Sequence, residues 1–231
     1  MRHIIPFATG EIYHLFNRGA HKQEIFTSQA DYDRFALLLY LANSTNAVNI
    51  RETLRNYQGQ TFETIFEQEP RGEQLVDILA YCLMPNHFHL VLRQKTEKGI
   101  TTFARKLLTG YSMYFNISHG HSGIISQGAV KSRHINNDPY FRYIFSYVHL
   151  NPLSLVYPGW EEKGIINYAG ARKFLSEYVH SSFPDYSDGS RPRESILSLD
   201  DVPDFLKTQN DLEELLSWYK TEKEAGVFTK V

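Results

Sequence analysis

The sequence predicts an α+β fold in which helices pack on one face of an antiparallel sheet. The evidence is the order of elements along the chain, which runs strand, helix, hairpin, helix, as is typical of this class. The chain has 231 residues, of which 42% are hydrophobic and 14% aromatic. This composition is enough to bury a sizeable core, either in one large domain or in a domain with an appendage.

The first half of the chain contains the strand, the helix and the hairpin. "EIYHLFNRG" (11–19) has the pattern of a short aromatic strand that ends in a Gly turn. "DYDRFALLLYLA" (31–42) places apolar side chains at helical spacing after acidic start signals. Residues 43–74 are mostly polar and predict an irregular or partly helical insertion. "LVDILAYCLMP" (75–85) then leads through a Pro-Asn turn into "HFHLVLR" (87–93), which predicts an antiparallel hairpin.

Two further helices follow the hairpin. "ITTFARKLLTGYSMYF" (100–115) carries a continuous apolar stripe, so that Tyr111 and Tyr114 are expected in the core. The Gly-rich residues 118–135 predict a loop with a short strand near its end. The next helix is expected to have Asp138 as its N-cap and to end near Asn151, because a following proline disfavours the helical state.

The C-terminal part has a different composition. Residues 178–195 are rich in turn-forming residues and predict a linker. Residues 209–225 predict a capped amphipathic helix, whose inward side chains are Leu212, Leu215, Leu216 and Tyr219. The expected fold therefore includes a C-terminal helical extension.

Cysteine content and hydropathy predict a soluble intracellular protein. The single cysteine, Cys82, cannot form an internal disulfide. Apolar runs are too short to span a membrane, and the first residues lack the apolar stretch of a signal peptide.

Charge is unevenly distributed along the chain. The formal net charge is -2, but residues 185–231 hold eleven acids against six bases, which leaves residues 1–184 with an excess of three cations. Residues 98–137 contain no Asp or Glu. A cationic tract of this kind suits a phosphate backbone, although it is equally compatible with a solvated surface.

Two histidines, His87 and His89, alternate with apolar residues in the second strand of the hairpin. Residues i and i+2 of a strand face the same side, so the two imidazoles project together. They could hold one divalent metal, or they could be two hydrogen-bonded, half-buried histidines. Spacing alone favours the second interpretation.

Tyr147 and Asn151 are four residues apart near the end of a predicted helix and so share one face. An amide oxygen is a ligand that a hard cation accepts beside imidazoles. A tyrosine hydroxyl can attack phosphorus if positive charge stabilises its anion. The plainer alternatives are a core tyrosine and a helix-ending asparagine, and position alone does not decide between them.

These residues lie in motifs that resemble a known family. "YCLMPNHFHLVL" (81–92), followed by "YVHLNP" (147–152), closely resembles the REP-associated tyrosine transposases, in the single-tyrosine branch of the His-hydrophobic-His (HUH) endonuclease superfamily. Residues 13–26, 31–39 and 126–152 match in the same order, so that the resemblance covers about residues 11–160, interrupted by the polar insertion.

The resemblance implies a role for each motif residue. His87 and His89 match the pair that holds Mg²⁺ or Mn²⁺ against the scissile phosphate. Tyr147 matches the nucleophile that cuts single-stranded DNA, becomes linked to the 5′ phosphate and leaves a free 3′ hydroxyl. Asn151 lies where related enzymes place a polar third ligand. The implied fold is a ferredoxin-like sandwich, and the implied substrate is a DNA hairpin with adjacent unpaired bases.

Several polar residues are candidate DNA contacts. Asn17 and Arg18 precede a Gly turn after the first strand, where a cation can reach a phosphate or a base edge. Other candidates lie on the amphipathic helix and around the Gly-rich loop, although the two on the helix could equally be only solvated; they are Arg105, Lys106, Gln127, Lys131 and Arg133.

The sequence therefore leads to a functional hypothesis: a bacterial, cytoplasmic transposase and single-strand endonuclease, acting as a monomer or homodimer without a membrane. The hypothesis divides the chain into a catalytic domain (1–184) and an acidic extension (185–231). One alternative is a non-cleaving hairpin-binding protein derived from a transposase. Another is a metal-dependent phosphodiester hydrolase in which Tyr147 is structural.

Overall fold

The protein was analysed as a computed structural model, which describes residues 6–187, 191–202 and 212–224. The strands in these residues are β1 (Ile12–Arg18), β2 (Val76–Met84), β3 (His87–Gln94) and β4 (Lys131–Ile135). The α-helices are α1 (Gln29–Leu41), α2 (Ile50–Asn56), α3 (Glu63–Gln68), α4 (Gly99–Ser118), α5 (Asp138–Leu150), α6 (Trp160–Lys163), α7 (Tyr168–Glu177), α8 (Phe183–Ser187) and α9 (Leu212–Glu224). None of the helices in the described ranges is long and apolar enough to cross a membrane.

The four strands form one antiparallel sheet in the order β2-β3-β1-β4. With α1 between β1 and β2, and α4 between β3 and β4, this is the βαββαβ arrangement of ferredoxin-like folds. The predicted α+β class and the predicted hairpin are confirmed.

One face of the sheet packs on α1 and α4. Alternate residues of β1 and β3 point to this side, namely Tyr13, Leu15, Phe88, Leu90 and Leu92, and they join one hydrophobic core with both helices. Strand alternation therefore separates Phe88, Leu90 and Leu92 from His87 and His89, which project from the other face of β3.

The other face is also covered, so the prediction of helices on one face only is wrong. Val91 of β3 and Cys82 of β2 belong to a second core with α5, α7 and α9. The physical reason is that this face is itself largely apolar and must be shielded from water. Helices α1 to α4 therefore lie on one side of the sheet, and α5, α7 and α9 lie on the other.

Helix α5 begins one residue earlier than its predicted cap. Asn137 is the N-cap, and its side chain accepts a hydrogen bond from the backbone of Tyr140. Asp138 is instead the first helical residue, where a negative charge suits the positive end of the helix. Asn151 ends the helix as predicted and opens a short 3-10 segment, Asn151–Leu155.

Strand β2 contains a bulge. The pairing register with β3 shifts between Ile78 and Ala80. Before the bulge Val76 and Ile78 face the α1–α4 core, and after it Tyr81 and Leu83 do so. The extra residue, Leu79, faces the second core.

The polar insertion (43–74) forms α2 and α3 and packs on the α1–α4 side of the molecule. The Lys106 ammonium on α4 donates to the backbone oxygens of Ser44 and Asn46, both at 2.6 Å. Asn43 ties the start of the insertion to β2, because its side chain bonds the backbone of Leu75 and Val76.

The predicted linker (178–195) is wrong, because much of this segment docks on the edge of the sheet. Ser182 and Phe183 are buried. The Ser182 amide donates to the carbonyl of Tyr81, and Arg191 forms a bidentate pair with Asp185, with distances of 2.5 and 2.8 Å. The proposed domain boundary after residue 184 stays a prediction.

The predicted C-terminal helix is confirmed as α9, and its four inward side chains are buried. It packs along α5, where the rings of Tyr219 and Tyr143 stack with centroids 5.1 Å apart. The residues expected to cap it, 209–211, lie outside the described residues.

Asp31 in the first turn of α1 is fully buried and is expected to be a stability determinant. Its carboxylate accepts from the backbone and hydroxyl of Thr27, the backbone of Ser28, and the side chains of Tyr114 and His119. Replacing Asp31 by Ala should lower the free energy of unfolding by about 3 kcal/mol, because the donors lose their partner in a buried network. Urea denaturation measures this. The exposed Glu97→Ala is the control and should change the free energy by less than about 0.5 kcal/mol.

The effect of Asp31 should depend on pH. Burial raises the pKa of Asp31, but the hydrogen bonds from His119, Thr27 and Tyr114 outweigh burial and lower it. A carboxyl with a lowered pKa stabilises the fold above its unfolded pKa of about 3.9, and this contribution is lost as pH falls through the folded value. The difference between wild type and Asp31→Ala should therefore shrink at acidic pH. A difference that grows on acidification would contradict this account.

Candidate metal and nucleophile site

The site is built on the strand face that carries the two histidines. His87 opens β3 directly after the turn at Pro85 and Asn86, and His89 follows two residues later. Their rings lie on the same side, with centroids 5.0 Å apart and planes nearly perpendicular. His89 is 3% exposed, whereas His87 is half-buried at the mouth of the site.

Helix α5 brings Tyr147 and Asn151 to the same place. The ring of Tyr147 meets that of His89 edge to face, with centroids 5.2 Å apart. One turn later, Oδ1 of Asn151 lies 3.2 Å from Nε2 of His87. The Asn151 side chain lies near enough to Tyr147 to lower the pKa of its hydroxyl. The structure thus brings together the four residues that the sequence assigned to metal binding and catalysis.

Both histidines are held through Nδ1. Nδ1 of His87 lies 2.6 Å from Oδ1 of Asn86. Nδ1 of His89 lies 2.9 Å from Nε2 of His14 in β1. Nε2 of His89 is buried and has no hydrogen-bond partner within the described residues. The two rings therefore turn their Nε2 atoms away from these anchors.

The histidines are neutral at physiological pH. Burial lowers the pKa of His87 to about 4, although the hydrogen bond with Asn151 opposes the shift. Burial, together with the neighbouring His14 and His87, holds the pKa of His89 well below its ordinary value. A neutral imidazole carries one proton, so His87 can donate to only one of the two amide oxygens beside it. Donation to Asn86, at the shorter distance, leaves an unprotonated Nε2 facing the oxygen of Asn151.

Tyr147 is a protonated phenol at physiological pH. Burial and the nearby Glu161 and Tyr143 raise the pKa of Tyr147 to about 12, while the hydrogen bond from Asn151 lowers it. Ionisation of Tyr147 therefore needs added positive charge close to its oxygen.

The donor set fits a divalent cation with open positions. Two imidazole nitrogens and one amide oxygen occupy about half of an octahedral sphere, and the remaining positions suit water or phosphate oxygens. The unpartnered Nε2 of His89 is the observation that favours a cation here. In the described part of the chain, no group of three or more His, Cys, Asp or Glu side chains converges as a metal site. Such an ion would therefore depend on Asn151 and on the substrate.

The histidines and Tyr147 border an open cavity of about 340 Å³. Four of the predicted DNA contacts lie on its wall, namely Asn17, Arg18, Gln127 and Lys131. The Gly-rich loop is fixed beside the end of β1, because the Gln127 amide donates to the carbonyl of Arg18 at 2.7 Å. Arg18 of β1 and Lys131 of β4 therefore contribute two cations to the cavity wall.

The other three predicted contacts do not line this cavity. Arg133 follows Lys131 by two residues on the exposed edge strand β4 and so faces the same side of the sheet. Arg105 and Lys106 lie on α4, which packs on the opposite face. The described part of the insertion likewise contributes no residue to the cavity wall.

Two further tyrosines and a histidine from the same helices lie away from the cavity. Tyr111 is buried in the α1–α4 core, and its hydroxyl donates to the carbonyl of Ile25. Tyr114 bonds Asp31 in the same region. His149 turns away from the cavity and lies 2.7 Å from the Ser182 hydroxyl.

Sequence reasoning missed four residues of the site: His14, Phe16, Ser154 and Glu161. A signal existed for the first two, because strand alternation in "YHLF" separates His14 and Phe16 from the core residues Tyr13 and Leu15. Ser154 and Glu161 reach the cavity from the 3-10 segment and α6, whose paths follow from tertiary packing alone.

Comparisons with known proteins gave one solved structure of interest. No family model matches the chain, and no curated protein matches it. Among solved structures, the chain is similar to a REP-associated tyrosine transposase bound to a REP hairpin, with 15% sequence identity and a TM-score of 0.45. The match covers 80% of this chain and 83% of that chain. Similarity at this level does not establish membership of a family.

Proposed function

We propose that this protein is a metal-dependent endonuclease and strand transferase for single-stranded DNA, a transposase in which Tyr147 is the nucleophile. The observation that supports this most strongly is the meeting of Tyr147 with two Nδ1-anchored histidines and Asn151 on one cavity wall. The motif resemblance assigns the same residues to the same chemistry.

The proposed reaction is a direct displacement at phosphorus. A divalent ion, when bound, polarises the phosphoryl oxygens and offsets the developing charge. His87, His89 and Asn151 would hold that ion, and Asn151 also stabilises the ionised form of Tyr147 by hydrogen bonding. The Tyr147 oxygen forms a bond to phosphorus as the bond to the 3′ oxygen breaks, and its proton passes to solvent or to Glu161. The leaving 3′ oxygen takes a proton from solvent and becomes a free 3′ hydroxyl. A 3′ hydroxyl of the same or another strand can later attack the phosphotyrosine, which releases Tyr147 and joins the strands.

The shape of the cavity favours a single strand. Tyr147 and His87 are half-buried, and His89 is almost fully buried behind them. A phosphate can reach them only if its strand bends into the cavity, which a paired duplex resists. The preference for a hairpin beside the cut site follows from the motif resemblance, and the transposase found in the structural comparison is described as bound to a REP hairpin.

The four proposed site residues belong to one chain, so we propose that Tyr147 acts beside its own histidines. A monomer would then be sufficient for cleavage, and a homodimer could hold two strands. We expect the protein to act in a bacterial cytoplasm.

A covalent-capture experiment tests the proposed function. Hairpin-containing single strands from both flanks of the gene are labelled separately at each end and incubated with protein and Mn²⁺ or Mg²⁺. A 3′-labelled strand should shift to a protease-sensitive band on a denaturing gel, because the protein retains the 5′ phosphate. A 5′-labelled strand should only shorten. EDTA should abolish both products, and Tyr143→Phe on the same helix should retain them.

Other outcomes would identify the alternatives. Tight hairpin binding without either product would indicate the non-cleaving DNA-binding protein. Shortened DNA without a covalent band would indicate a hydrolase that uses water.

DNA affinity should depend on the cavity wall rather than on α4. Lys131→Ala is expected to weaken binding of single-stranded DNA about three- to tenfold at moderate salt, and to reduce the slope of log affinity against log salt by roughly 0.7. Fluorescence anisotropy over a range of salt concentrations measures both. Arg105→Ala removes the same charge from the opposite face and should change affinity less than about twofold. An equal loss in both variants would mean that the strand does not follow the cavity.

A further inference from the structure

His14 is a buried histidine beside the proposed metal site. It lies in the middle of β1, is 0% exposed, and stacks on His89 with ring centroids 5.1 Å apart. Its Nε2 is 2.9 Å from Nδ1 of His89, and its own Nδ1 has no hydrogen-bond partner in the described residues. The function proposed above does not use this residue.

The contact between the two rings couples the positions of their protons. Nε2 of His14 and Nδ1 of His89 lie 2.9 Å apart inside the fold, which is a hydrogen-bond distance. Two N–H groups cannot point at each other at this distance, so the two nitrogens share a single proton. Either His89 donates from Nδ1 to His14, or His14 donates from Nε2 to His89.

The two arrangements differ in what they leave on Nε2 of His89. If His89 donates, its Nε2 carries a lone pair and can bind a cation. If His14 donates, Nε2 of His89 carries the proton and cannot. A bound cation therefore requires the first arrangement, in which the proton of His14 resides on its Nδ1.

We infer that His14 positions His89 for metal binding by accepting its Nδ1 proton. This inference rests on the proposed function, since it concerns the same metal site. The effect is reciprocal, because an ion on Nε2 makes Nδ1–H a better donor to His14. His87 is held by Asn86 in the corresponding way.

A second buried histidine shows why His14 is not merely a packing residue. His149 is also 0% exposed, but its Nε2 meets the Ser182 hydroxyl, which can donate or accept. The Ser182 hydroxyl can therefore form a hydrogen bond with either tautomer of His149. The tautomers of His14 and His89 are instead linked, because an accepting Nε2 on His14 leaves Nε2 of His89 unprotonated and free to bind a cation.

Metal affinity provides the first test. Mn²⁺ is titrated into the wild-type protein, His14→Phe and His14→Gln without DNA, and free Mn²⁺ is followed by electron paramagnetic resonance. His14→Phe keeps a planar ring but offers no acceptor, and should raise the dissociation constant about ten- to hundredfold. His14→Gln offers an amide oxygen near the same position and should stay within about threefold of wild type. His134→Gln, an exposed histidine on β4, is the matched control and should have no effect.

The tautomer of His89 provides a second readout that a packing role would not change. Nitrogen-15 shifts of the histidine rings, with His89 assigned by comparison with His89→Gln, should show a protonated Nδ1 and an unprotonated Nε2 in the Mg²⁺-bound protein. Equal Mn²⁺ affinity in His14→Phe and wild type would overturn the inference, as would a protonated Nε2 in the Mg²⁺-bound protein. Failure of wild type and His87→Ala alike to bind Mn²⁺ would instead overturn the proposed metal site.

Discussion

Replacing Tyr147 by Phe is expected to abolish DNA cleavage and the covalent protein–DNA band while leaving DNA affinity within about threefold of wild type. The substitution removes only the hydroxyl, so the ring retains its edge-to-face contact with His89. Loss of a nucleophile typically costs about a thousandfold or more in rate. Single-turnover cleavage of an end-labelled strand measures the rate, and anisotropy measures the affinity.

The control for this experiment is Tyr143→Phe. Tyr143 stacks one turn away from Tyr147, with ring centroids 6.1 Å apart, and its hydroxyl has no proposed role in the chemistry. Its cleavage rate should remain within a few-fold of wild type. If Tyr147→Phe cut DNA at the wild-type rate, the assignment of the nucleophile would be wrong.

Replacing His89 by Ala is expected to remove both Mn²⁺ binding and cleavage. His89 supplies one of only two imidazoles in the proposed donor set, and its Nε2 has no other partner in the described residues. Loss of a metal ligand should lower the single-turnover rate by roughly 10²- to 10⁴-fold. The matched control is His134→Ala, because His134 is exposed on β4 and pairs with Glu11. Normal metal-dependent cleavage by His89→Ala would exclude the proposed metal site.

A mixture of the two inactive variants tests whether one chain provides the whole site. Since His89 and Tyr147 meet within one chain, combining Tyr147→Phe with His89→Ala should not restore cleavage. Recovery of activity would show that the tyrosine helix is exchanged between subunits.

Much of the sheet and the candidate site could be predicted because short-range periodicity determines it. The alternation of apolar residues with His87 and His89 fixes which face carries the imidazoles, independently of what covers that face. The four-residue spacing of Tyr147 and Asn151 similarly fixes their common helix face. The motif resemblance then assigned the histidine pair and the pair of Tyr147 and Asn151 to one site. Periodicity alone could not show that these two pairs meet.

The parts that could not be predicted depend on contacts between distant segments. Residues 180–183 have the composition of a loop, yet they dock by backbone hydrogen bonds, such as Leu83 to His180 and Ser182 to Tyr81. Backbone hydrogen bonds do not require particular side chains, so the residue types of this segment do not predict them. Lys106 was a candidate DNA contact because it lies off the apolar stripe, but its ammonium holds the backbone of the insertion. A surface cation looks the same in sequence whether its partner is a carbonyl or a phosphate.

The bulge at Leu79 lets two consecutive residues of β2, Leu79 and Ala80, face the same side of the sheet. Because Ile78 and Ala80 pair with consecutive residues of β3, Leu92 and Val91, removing Leu79 would restore regular alternation and keep Val76 and Ile78 on the α1–α4 core. The second core would lose one apolar side chain. A deletion at Leu79 should therefore be tolerated better than a deletion elsewhere in β2, which would move every residue on one side of the gap to the other face of the sheet.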